Sequence, residues 1–322
     1  MNIVEKFLKT LQSYKLIKKR DFVIVGVSGG ADSICLLSLL CMLRKKWKLQ
    51  LQAVHINYKL RGEDADQDQS LVEEYCRRIK CDLSIFEYSK KPTTKITEEN
   101  LRNFRYQQME KLRKKFKANS IAVAHNKNDQ AETMLMFLLR GSGLRGLSGI
   151  KYRQNKIIRP MLDIGKDEIY QYLHENKIKY REDASNLDPK YTRNKIRHEL
   201  IPLLVKKYNP NLITTLNVNR KIIADDYSYI VQSAQKQFRR LAKCQNQQIE
   251  IDIKKFLKLG SALQREIIRL AFIKFNINLI NISILDIEEM LRVIQAGREG
   301  AVRVIKGLRF EKKNGSMIVC KE

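Results

Sequence analysis

The feature of this chain that most constrains its fold is an apolar run over residues 22–27 that is followed by two adjacent glycines and then by a second apolar segment. The loop between them reads Ser28-Gly29-Gly30-Ala31-Asp32-Ser33. Glycines let the backbone turn sharply, so that several N–H groups converge where a helix start adds partial positive charge. The pattern predicts a phosphate-binding loop between a strand and a helix, and an ordinary glycine-rich turn is the alternative.

The side chains of this loop suit nucleotide chemistry. The hydroxyls of Ser28 and Ser33 can donate hydrogen bonds to phosphate oxygens, and the Asp32 carboxylate can hold Mg²⁺ against the phosphates. The common mononucleotide-binding loop needs a Lys-Ser or Lys-Thr pair after its last glycine, which this loop lacks. It resembles instead the PP-loop of the ATP pyrophosphatases, enzymes that cleave ATP between the α and β phosphates.

Strand-like and helical segments alternate in the first part of the chain. Strands are expected at 22–27, 51–56, 83–88 and 120–125, with helices at 34–43, 64–79 and 98–116. This alternation predicts an α/β fold with a doubly wound parallel sheet and a ligand at the carboxyl ends of the strands. His55, His125 and the glycine loop fall at such ends, which predicts one shared crevice. For either histidine alone, a structural role is the alternative.

The charge balance indicates a polyanionic partner. The 322 residues include 62 Lys and Arg against 35 Asp and Glu, a formal net charge of +27. Such an excess is typical of proteins that bind nucleic acid or, second, acidic membranes. A lysine-rich composition inherited from an AT-rich genome is the alternative, although it leaves the shortage of acids unexplained. No apolar stretch reaches about 18 residues, so no membrane-spanning helix is predicted.

The second half of the chain predicts a separate module. A polar segment at 206–211 contains Pro210 and is typical of a linker, so that residues 1–207 and 208–322 are expected to form two domains. The second is predicted to be smaller and mainly helical, with a long helix over about 212–244 and short strands around the Asn314-Gly315 turn. Upstream of the linker, Asp163 is predicted to cap a helix that runs to about Asn176.

A second group of polar residues follows the fourth predicted strand. Asp129, Glu132 and Thr133 are spaced so that they share one face of a helix start. The helix dipole keeps carboxylates at this position ionised, ready to hold a cation or an amine. Routine N-terminal capping is the alternative, but the position beside the predicted phosphate loop favours a functional role.

Together these motifs resemble the tRNA(Ile)-lysidine synthetases of the PP-loop superfamily over about residues 20–205. Beside the loop, the segments that carry the resemblance are His55-Ile56-Asn57-Tyr58-Lys59-Leu60-Arg61, Leu101-Arg102-Asn103-Phe104-Arg105-Tyr106, Asp129-Gln130-Ala131-Glu132-Thr133, Arg140-Gly141-Ser142-Gly143, Ile158-Arg159-Pro160, Asp183, Ser185-Asn186 and Tyr191-Thr192-Arg193-Asn194-Lys195-Ile196-Arg197. The chain departs from the pattern at three positions: Tyr58 and Asn126 replace histidines, and Asn128 replaces an aspartate. The last departure leaves Asp129 without an adjacent carboxylate.

The resemblance implies a ligase that forms a carbon–nitrogen bond between L-lysine and C2 of the wobble cytidine in the CAU anticodon of tRNA(Ile). ATP first adenylates the cytidine O2 and releases pyrophosphate, and the lysine ε-amine then displaces AMP. The implied substrates are ATP, L-lysine and this tRNA, with Mg²⁺ as the cofactor. The implied location is the cytoplasm, without membrane association, and a homodimer is left open.

The resemblance also implies roles for individual residues. The implied catalytic residues are Asp32, Asp129, Glu132 and Arg193, with Asp32 also the Mg²⁺ ligand. The implied ATP-binding residues are Ser28, Gly29, Gly30, Ala31, Asp32, Ser33, His55 and His125. The implied tRNA-binding residues are Arg105, Arg140, Arg193 and Arg197. A solvated basic helix is the alternative for Arg193 and Arg197.

Two other functions stay open at this point. A tRNA-thiolating enzyme of the same superfamily would use sulfur instead of lysine to displace AMP. The six cysteines of this chain form no C-x-x-C pair and no zinc spacing, which favours reduced thiols that fill the core. A catalytically silent RNA-binding relative is the second alternative, and the intact loop and Asp129–Thr133 segment argue against it.

Overall fold

The structure is a computed structural model that describes residues 1–60, 62–88, 97–181, 192–245, 247–279 and 282–322. Its first half contains α1 (Ile3–Ser13), β1 (Phe22–Gly26), α2 (Ala31–Trp47), β2 (Gln50–Asn57), α3 (Glu63–Arg78), β3 (Asp82–Glu87), α4 (Glu98–Lys115), β4 (Ser120–Ala122), α5 (Lys127–Leu139), α6 (Leu144–Leu147), β5 (Arg153–Gln154), β6 (Ile157–Ile158) and α7 (Lys166–Glu175). Among the predicted residues, Arg61, Asp183, Ser185, Asn186 and Tyr191 lie outside the described ranges.

The second half begins with α8 (Thr192–Lys195), a π-helical turn (Ile196–Leu200), α9 (Ile201–Lys207) and α10 (Leu212–Leu241). It continues with β7 (Ala242–Gln245), β8 (Gln248–Asp252), α11 (Ile253–Leu257), α12 (Ser261–Lys274), α13 (Ile284–Ala296), β9 (Val302–Ile305), β10 (Leu308–Lys313) and β11 (Ser316–Lys321). The chain divides into two compact units. One comprises Met1–Met136 and Gly149–Val218, and the other Phe137–Ser148 and Asn219–Glu322.

The sheet of the first unit has the order β3-β2-β1-β4-β6-β5. All its neighbouring strands are parallel except β5, which pairs antiparallel with β6. The chain moves outward from β1 through β2 to β3 and then returns to place β4 on the other side of β1. The strand order therefore reverses between β1 and β4, and in open α/β sheets ligands bind at such a switch point.

Alternating side chains of β1 cover both faces of this sheet. Val23 and Val25 belong to one buried apolar cluster, which α2 supplies with residues such as Leu36. Ile24 belongs to a second cluster, in which it joins Met109 of α4. Because both faces are buried, the strand is apolar throughout, and this explains why the run at 22–27 is so conspicuous in the sequence.

The segment from α8 to α9 packs against α5 within the same unit. Ile196 and Ile201 form a small buried cluster with Ala131 and Leu135 of α5. The π-helical turn begins at Ile196 and ends at Leu200, directly before Ile201. This apolar contact holds the segment against the first turns of α5, so that Arg193 and Arg197 lie beside Asp129 and Glu132.

The second unit has its own core and a five-stranded antiparallel sheet with the order β7-β8-β11-β10-β9. Phe256, Phe272 and Phe310 are fully buried among residues of α11, α12 and β10. The hairpin between β10 and β11 turns at Asn314 and Gly315, both with positive φ. No helix in the described ranges is long and apolar enough to span a membrane.

The predicted α/β class, with a largely parallel sheet and a helical carboxyl-terminal region that ends in strands, is confirmed. Two details are wrong. The helix expected to reach about residue 244 ends at Leu241, where β7 begins. Asp163 caps no helix, because α7 begins at Lys166 with Gly165 as its N-cap. Its carboxylate instead accepts hydrogen bonds from Thr10 Oγ1 at 2.9 Å and the Tyr152 hydroxyl at 2.8 Å.

Candidate active site

The loop after β1 is closed by hydrogen bonds among its own residues. The Ser28 N–H donates to Ser33 Oγ at 3.0 Å, and the Ser33 hydroxyl donates to the Gly30 carbonyl oxygen at 2.9 Å. Gly29 has a φ of +93°, a conformation that glycine adopts without strain. Gly30 is the N-cap of α2 and offers no side-chain cap, so the first N–H groups of α2 are available to an anion.

The start of α5 is organised by Asn126, which is fully buried. Its Oδ1 accepts the N–H groups of Asn128 at 2.9 Å and Asp129 at 3.0 Å. In return, Asp129 Oδ2 accepts the Asn126 N–H at 2.9 Å. The Nδ2 group of Asn126 donates to Asp32 Oδ1 at 3.0 Å. One neutral side chain therefore connects the glycine loop after β1 to the helix start after β4, on the two sides of the switch point.

The surroundings of Asp32 oppose its ionisation. Burial and then the negative charge of Asp129 raise the pKa of Asp32 from 3.8 to about 6, against the opposing effects of Asn126, Lys166 and Arg197. A partly desolvated carboxylate beside a second carboxylate is stabilised by a cation. Carboxylate oxygens that leave room for water and phosphate ligands are the donors that Mg²⁺ prefers. Asp32, with Asp129 close by, therefore fits Mg²⁺.

Arg193 and Arg197 form ion pairs with both carboxylates of α5. Arg193 donates from Nε to Glu132 Oε2 at 2.8 Å and from Nη2 to Asp129 Oδ1 at 2.9 Å. Arg197 donates from Nε to Glu132 Oε1 at 2.6 Å and from Nη2 to Asp129 Oδ1 at 3.3 Å. The structure thus brings together four predicted site residues, and guanidinium groups occupy both oxygens of Glu132.

The two carboxylates differ in their exposure. The Glu132 side chain is 2% exposed, whereas that of Asp129 is 13% exposed. A carboxylate buried as deeply as Glu132 depends on its ion pairs, because no water replaces them. Glu132 is therefore placed to hold the two arginines, and Asp129 is the acid with access to a ligand.

Of the two predicted histidines, His55 is buried and His125 is half-buried, and the surroundings of both favour the neutral ring. His55 Nδ1 lies 2.9 Å from the Val27 carbonyl oxygen and donates to it, which leaves Nε2 as an acceptor. Burial lowers the pKa of His55. Burial and then the charges of neighbouring arginines, first Arg159 and next Arg193, lower the pKa of His125 further. Among the described residues, His55 Nε2 and His125 Nδ1 have no hydrogen-bond partner.

The two remaining predicted tRNA contacts lie in different places. Arg105 is half-buried on α4, with its guanidinium carbon 5.6 Å from the centre of the Tyr106 ring. Its charge contributes to the lowered pKa of His125, which places Arg105 at the same edge of the sheet. Arg140 is exposed and follows α5 in the second unit.

Sequence motifs do not reveal the contributions of three further residues. Asn126 joins Asp32 to α5, although in the sequence it only marks a departure from the family pattern. Asn128 Oδ1 accepts the Lys166 N–H at 3.1 Å, so it caps the start of α7. The Arg181 N–H donates to the Gly29 carbonyl oxygen at 3.1 Å. Each contact joins residues distant in sequence, so no local pattern could indicate it.

The fold and the loop are those of a PP-loop protein, and the family model of the PP-loop domain matches residues 1–204. The chain is 34% identical to the tRNA(Ile)-lysidine synthase of Petrotoga mobilis over 320 residues, which cover 98% of this chain and 97% of that protein. The chain therefore belongs to the tRNA(Ile)-lysidine synthase family of PP-loop proteins, and the resemblance inferred from its motifs is confirmed.

Other members of this family are longer. The chain is 36% identical to the tRNA(Ile)-lysidine synthase of Caldanaerobacter subterraneus subsp. tengcongensis over 271 residues, which are 83% of this chain and 58% of that protein. It is 38% identical to that of Clostridium tetani over 306 residues, which are 92% of this chain and 64% of the relative. The chain thus spans about three fifths of the length of these relatives.

A solved structure with a similar fold is the U34-tRNA thiolase NcsA from Methanococcus maripaludis, which carries a [4Fe-4S] cluster. The TM-score is 0.57 at 18% sequence identity, and the match covers 69% of this chain and 78% of the thiolase. At this identity the likeness concerns the fold alone.

Proposed function

We propose that this protein ligates lysine to C2 of the wobble cytidine in the CAU anticodon of tRNA(Ile), with ATP as the activating substrate. The observation that carries the proposal is the bridge from Asp32 through Asn126 to Asp129, which places two carboxylates at the switch point beside the phosphate-binding loop. Membership of the tRNA(Ile)-lysidine synthase family supports the choice of substrate. The modified tRNA then reads AUA and is charged with isoleucine.

In the first step, the cytidine O2 attacks the α-phosphorus of ATP, and pyrophosphate leaves. The N–H groups at the start of α2, with Ser28, Ala31 and Ser33 beside them, bind the phosphates and stabilise the added negative charge of the transition state. His55 and His125 are neutral, so each offers a ring nitrogen to the nucleotide without adding charge. Mg²⁺ at Asp32 supplies charge neutralisation to the phosphate groups when it is bound.

In the second step, the lysine ε-amine attacks C2 of the adenylated cytidine, and AMP leaves with the former O2. The ammonium group must lose a proton before it can attack. Asp129 is the more exposed carboxylate of α5 and is placed to orient the amine and accept this proton. Glu132 acts through Arg193 and Arg197, which it holds beside the reacting groups.

Binding of the tRNA uses positive charge from both parts of the chain. Arg105, Arg193 and Arg197 are proposed to contact phosphates near the anticodon, and Arg140 to contact the tRNA from the segment that follows α5. Residues 1–207 are proposed as the catalytic domain, and residues 208–322 as a domain that supports tRNA binding. We place the protein in the cytoplasm with its tRNA, and sedimentation analysis tests whether two copies associate.

The test is mass analysis of nucleosides from tRNA(Ile) with a CAU anticodon after incubation with the protein, ATP, Mg²⁺ and lysine. The expected product is a cytidine that has gained lysine with loss of water. Its formation should require ATP, Mg²⁺ and lysine together. The matched control is the same tRNA with uridine at the wobble position, which should stay unmodified. A sulfur-containing nucleoside, formed when a sulfur donor replaces lysine, would instead establish tRNA thiolation. Absence of ATP–pyrophosphate exchange with tRNA present would indicate a silent RNA-binding relative.

A further inference from the structure

We propose that Arg181 is a positioning residue for the phosphate-binding loop, which it fixes in place and shields from a neighbouring negative charge. Its backbone N–H donates to the carbonyl oxygen of Gly29 at 3.1 Å. Gly29 stands at the sharpest point of the loop, with a φ of +93°. A hydrogen bond at this carbonyl restrains the peptide plane between Gly29 and Gly30, whose N–H belongs to the anion-binding end of α2.

The side chain of Arg181 is anchored on the face of α3 that packs beside the loop. Nε donates to Asp68 Oδ1 at 2.8 Å, and Nη2 donates to Asp64 Oδ1 at 2.9 Å. Nη1 donates to Gln67 Oε1 at 2.6 Å. Three side chains on two neighbouring turns of α3 thus bind one planar guanidinium group, which fixes the Arg181 backbone in the position that the Gly29 contact needs.

Asp68 lies directly against the loop. A Cβ atom placed on Gly29 would lie 3.4 Å from the Asp68 carbonyl oxygen, so the space between the two residues is no larger than one methyl group. The Asp68 side chain is only 12% exposed, and water therefore screens its charge poorly. A carboxylate in this position repels phosphate groups bound at the loop unless a cation neutralises it.

The guanidinium group of Arg181 supplies that positive charge at 2.8 Å. The same residue therefore contributes to ATP binding in two ways, through the backbone contact with Gly29 and through neutralisation of Asp68. Because Arg181 touches Gly29 and α3 rather than the reacting atoms, its loss should weaken ATP binding and leave the chemical step in place. The inference rests on the proposed use of ATP.

The two contributions separate when Arg181 and Asp68 are changed together. Arg181→Gln removes one positive charge from beside Asp68 and the loop. We expect it to weaken ATP binding about 10-fold, an effect of a unit charge at close range in a poorly screened site. The double variant Arg181→Gln/Asp68→Asn removes both charges and should recover most of that loss. A purely structural anchor predicts the opposite, namely that the double variant is at least as weak as Arg181→Gln.

The experiment measures equilibrium binding of ATP with Mg²⁺ to the full chain for the parent protein, Asp68→Asn, Arg181→Gln, Arg181→Lys and the double variant. Arg77→Gln is the matched control, because Arg77 is an exposed cation in the last turn of the same helix. Arg181→Lys keeps the charge and should lie between the parent and Arg181→Gln. At saturating ATP, the rate of adenylation should stay within about 2-fold of the parent, so that the effect appears in KM and not in kcat.

Thermal unfolding checks that each variant is folded before its affinity is compared. Parent-like ATP affinity in folded Arg181→Gln would overturn the inference, and no recovery in the double variant would overturn the neutralisation of Asp68. Either result leaves the proposed function standing. Failure of the parent protein to bind ATP would instead overturn the proposed function. The two failures are therefore distinct.

Discussion

Asn126 holds Asp32 through a hydrogen bond of 3.0 Å from its Nδ2 group to the carboxylate Oδ1. The same side chain caps α5 through Oδ1, and its own N–H binds Asp129. All the polar groups of one buried asparagine are thus used to join two helix starts. The position of Asp32 relative to Asp129 therefore depends on this residue.

Asn126→Ala should reduce both stability and activity. The loss of the α5 cap is expected to cost about 1 to 2 kcal/mol of unfolding free energy, measured by urea denaturation. Adenylation should fall about 10-fold or more, because Asp32 loses the group that orients it. Asn126→Ser is the matched control, since serine keeps a capping oxygen but has no donor that reaches Asp32. It should retain most of the stability and still lose activity; full activity in this variant would contradict the role of the bridge.

Asp32→Asn should abolish adenylation, leave tRNA binding nearly intact and stabilise the protein in metal-free buffer. The pKa of Asp32 is raised from 3.8 to about 6, so the folded state binds the proton more tightly than the unfolded state. The stability from this group is fully present below pH 3.8 and is lost as the pH rises to about 6. The variant lacks this loss and should therefore be the more stable protein at neutral pH, by at most about 3 kcal/mol.

The pH dependence supplies the control for this stability gain. The difference in unfolding free energy between Asp32→Asn and the parent should shrink to about half when the pH falls from about 7.5 to about 5, because the parent then regains its proton. Urea denaturation with a chelator present measures this difference at each pH. A difference that stays constant over this range would show that the carboxylate titrates normally in the folded protein.

Asp129→Ala and Asn128→Ala should differ widely in activity although they are neighbours. Asp129→Ala removes the proposed base. The resulting fall in kcat/KM is expected to correspond to a loss of transition-state stabilisation on the order of 3 kcal/mol or more. Asn128→Ala removes only the bond to the Lys166 N–H and should cost about 1 kcal/mol or less. Equal losses in kcat/KM for the two variants would count against Asp129 as the acting carboxylate.

Glu132→Gln should be strongly destabilising. Its side chain is 2% exposed and accepts from Arg193 and Arg197, so the change leaves two guanidinium groups short of a counter-charge in a buried site. Breaking such a pair costs about 3 to 5 kcal/mol. The control is Asp66→Asn, because Asp66 pairs with Lys59 at a side chain that is 54% exposed. That change should cost less than about 1 kcal/mol in the same urea titration.

Replacement of all six cysteines by Ser or Ala should leave lysine ligation in place. Cys35, Cys76 and Cys81 are buried, and their loss should lower the melting temperature without changing the reaction. The ligation assay and thermal unfolding are measured on the same preparation. Loss of turnover in a variant that still unfolds cooperatively would revive the tRNA-thiolation alternative.

The parallel sheet could be predicted because its signals are local. The run at 22–27 is apolar at every position, since both faces of β1 are buried, and the two glycines that follow mark its end. The strand β7 could not be predicted in this way. Lys243 and Gln245 are exposed and polar, and Cys244 between them is exposed as well. The segment therefore lacks the alternation of apolar and polar residues that β8 shows at Ile249 and Ile251, and it cannot be distinguished from the end of a long helix.

The candidate site could be predicted as a set of residues but not as a network. The motifs indicate Asp129, Glu132, Arg193 and Arg197 separately, each as a free group that awaits a ligand. The structure pairs them with one another, at distances between 2.6 and 3.3 Å. Pairing between segments distant in sequence depends on how α8 packs on α5, and neither segment alone contains that information.

The π-helical turn at Ile196–Leu200 is held at both ends. On one side, Arg193 and Arg197 are tied to the carboxylates of α5, and on the other, Ile201 is buried against Ala131 and Leu135. A π-helical turn contains one residue more than an α-helical turn, so the deletion of a single residue would rotate one anchored end away from its partners. Selection should therefore act on the length of this segment more strongly than on the identity of its exposed residues. In an alignment of relatives, we expect substitutions here at solvent-facing positions and no gaps.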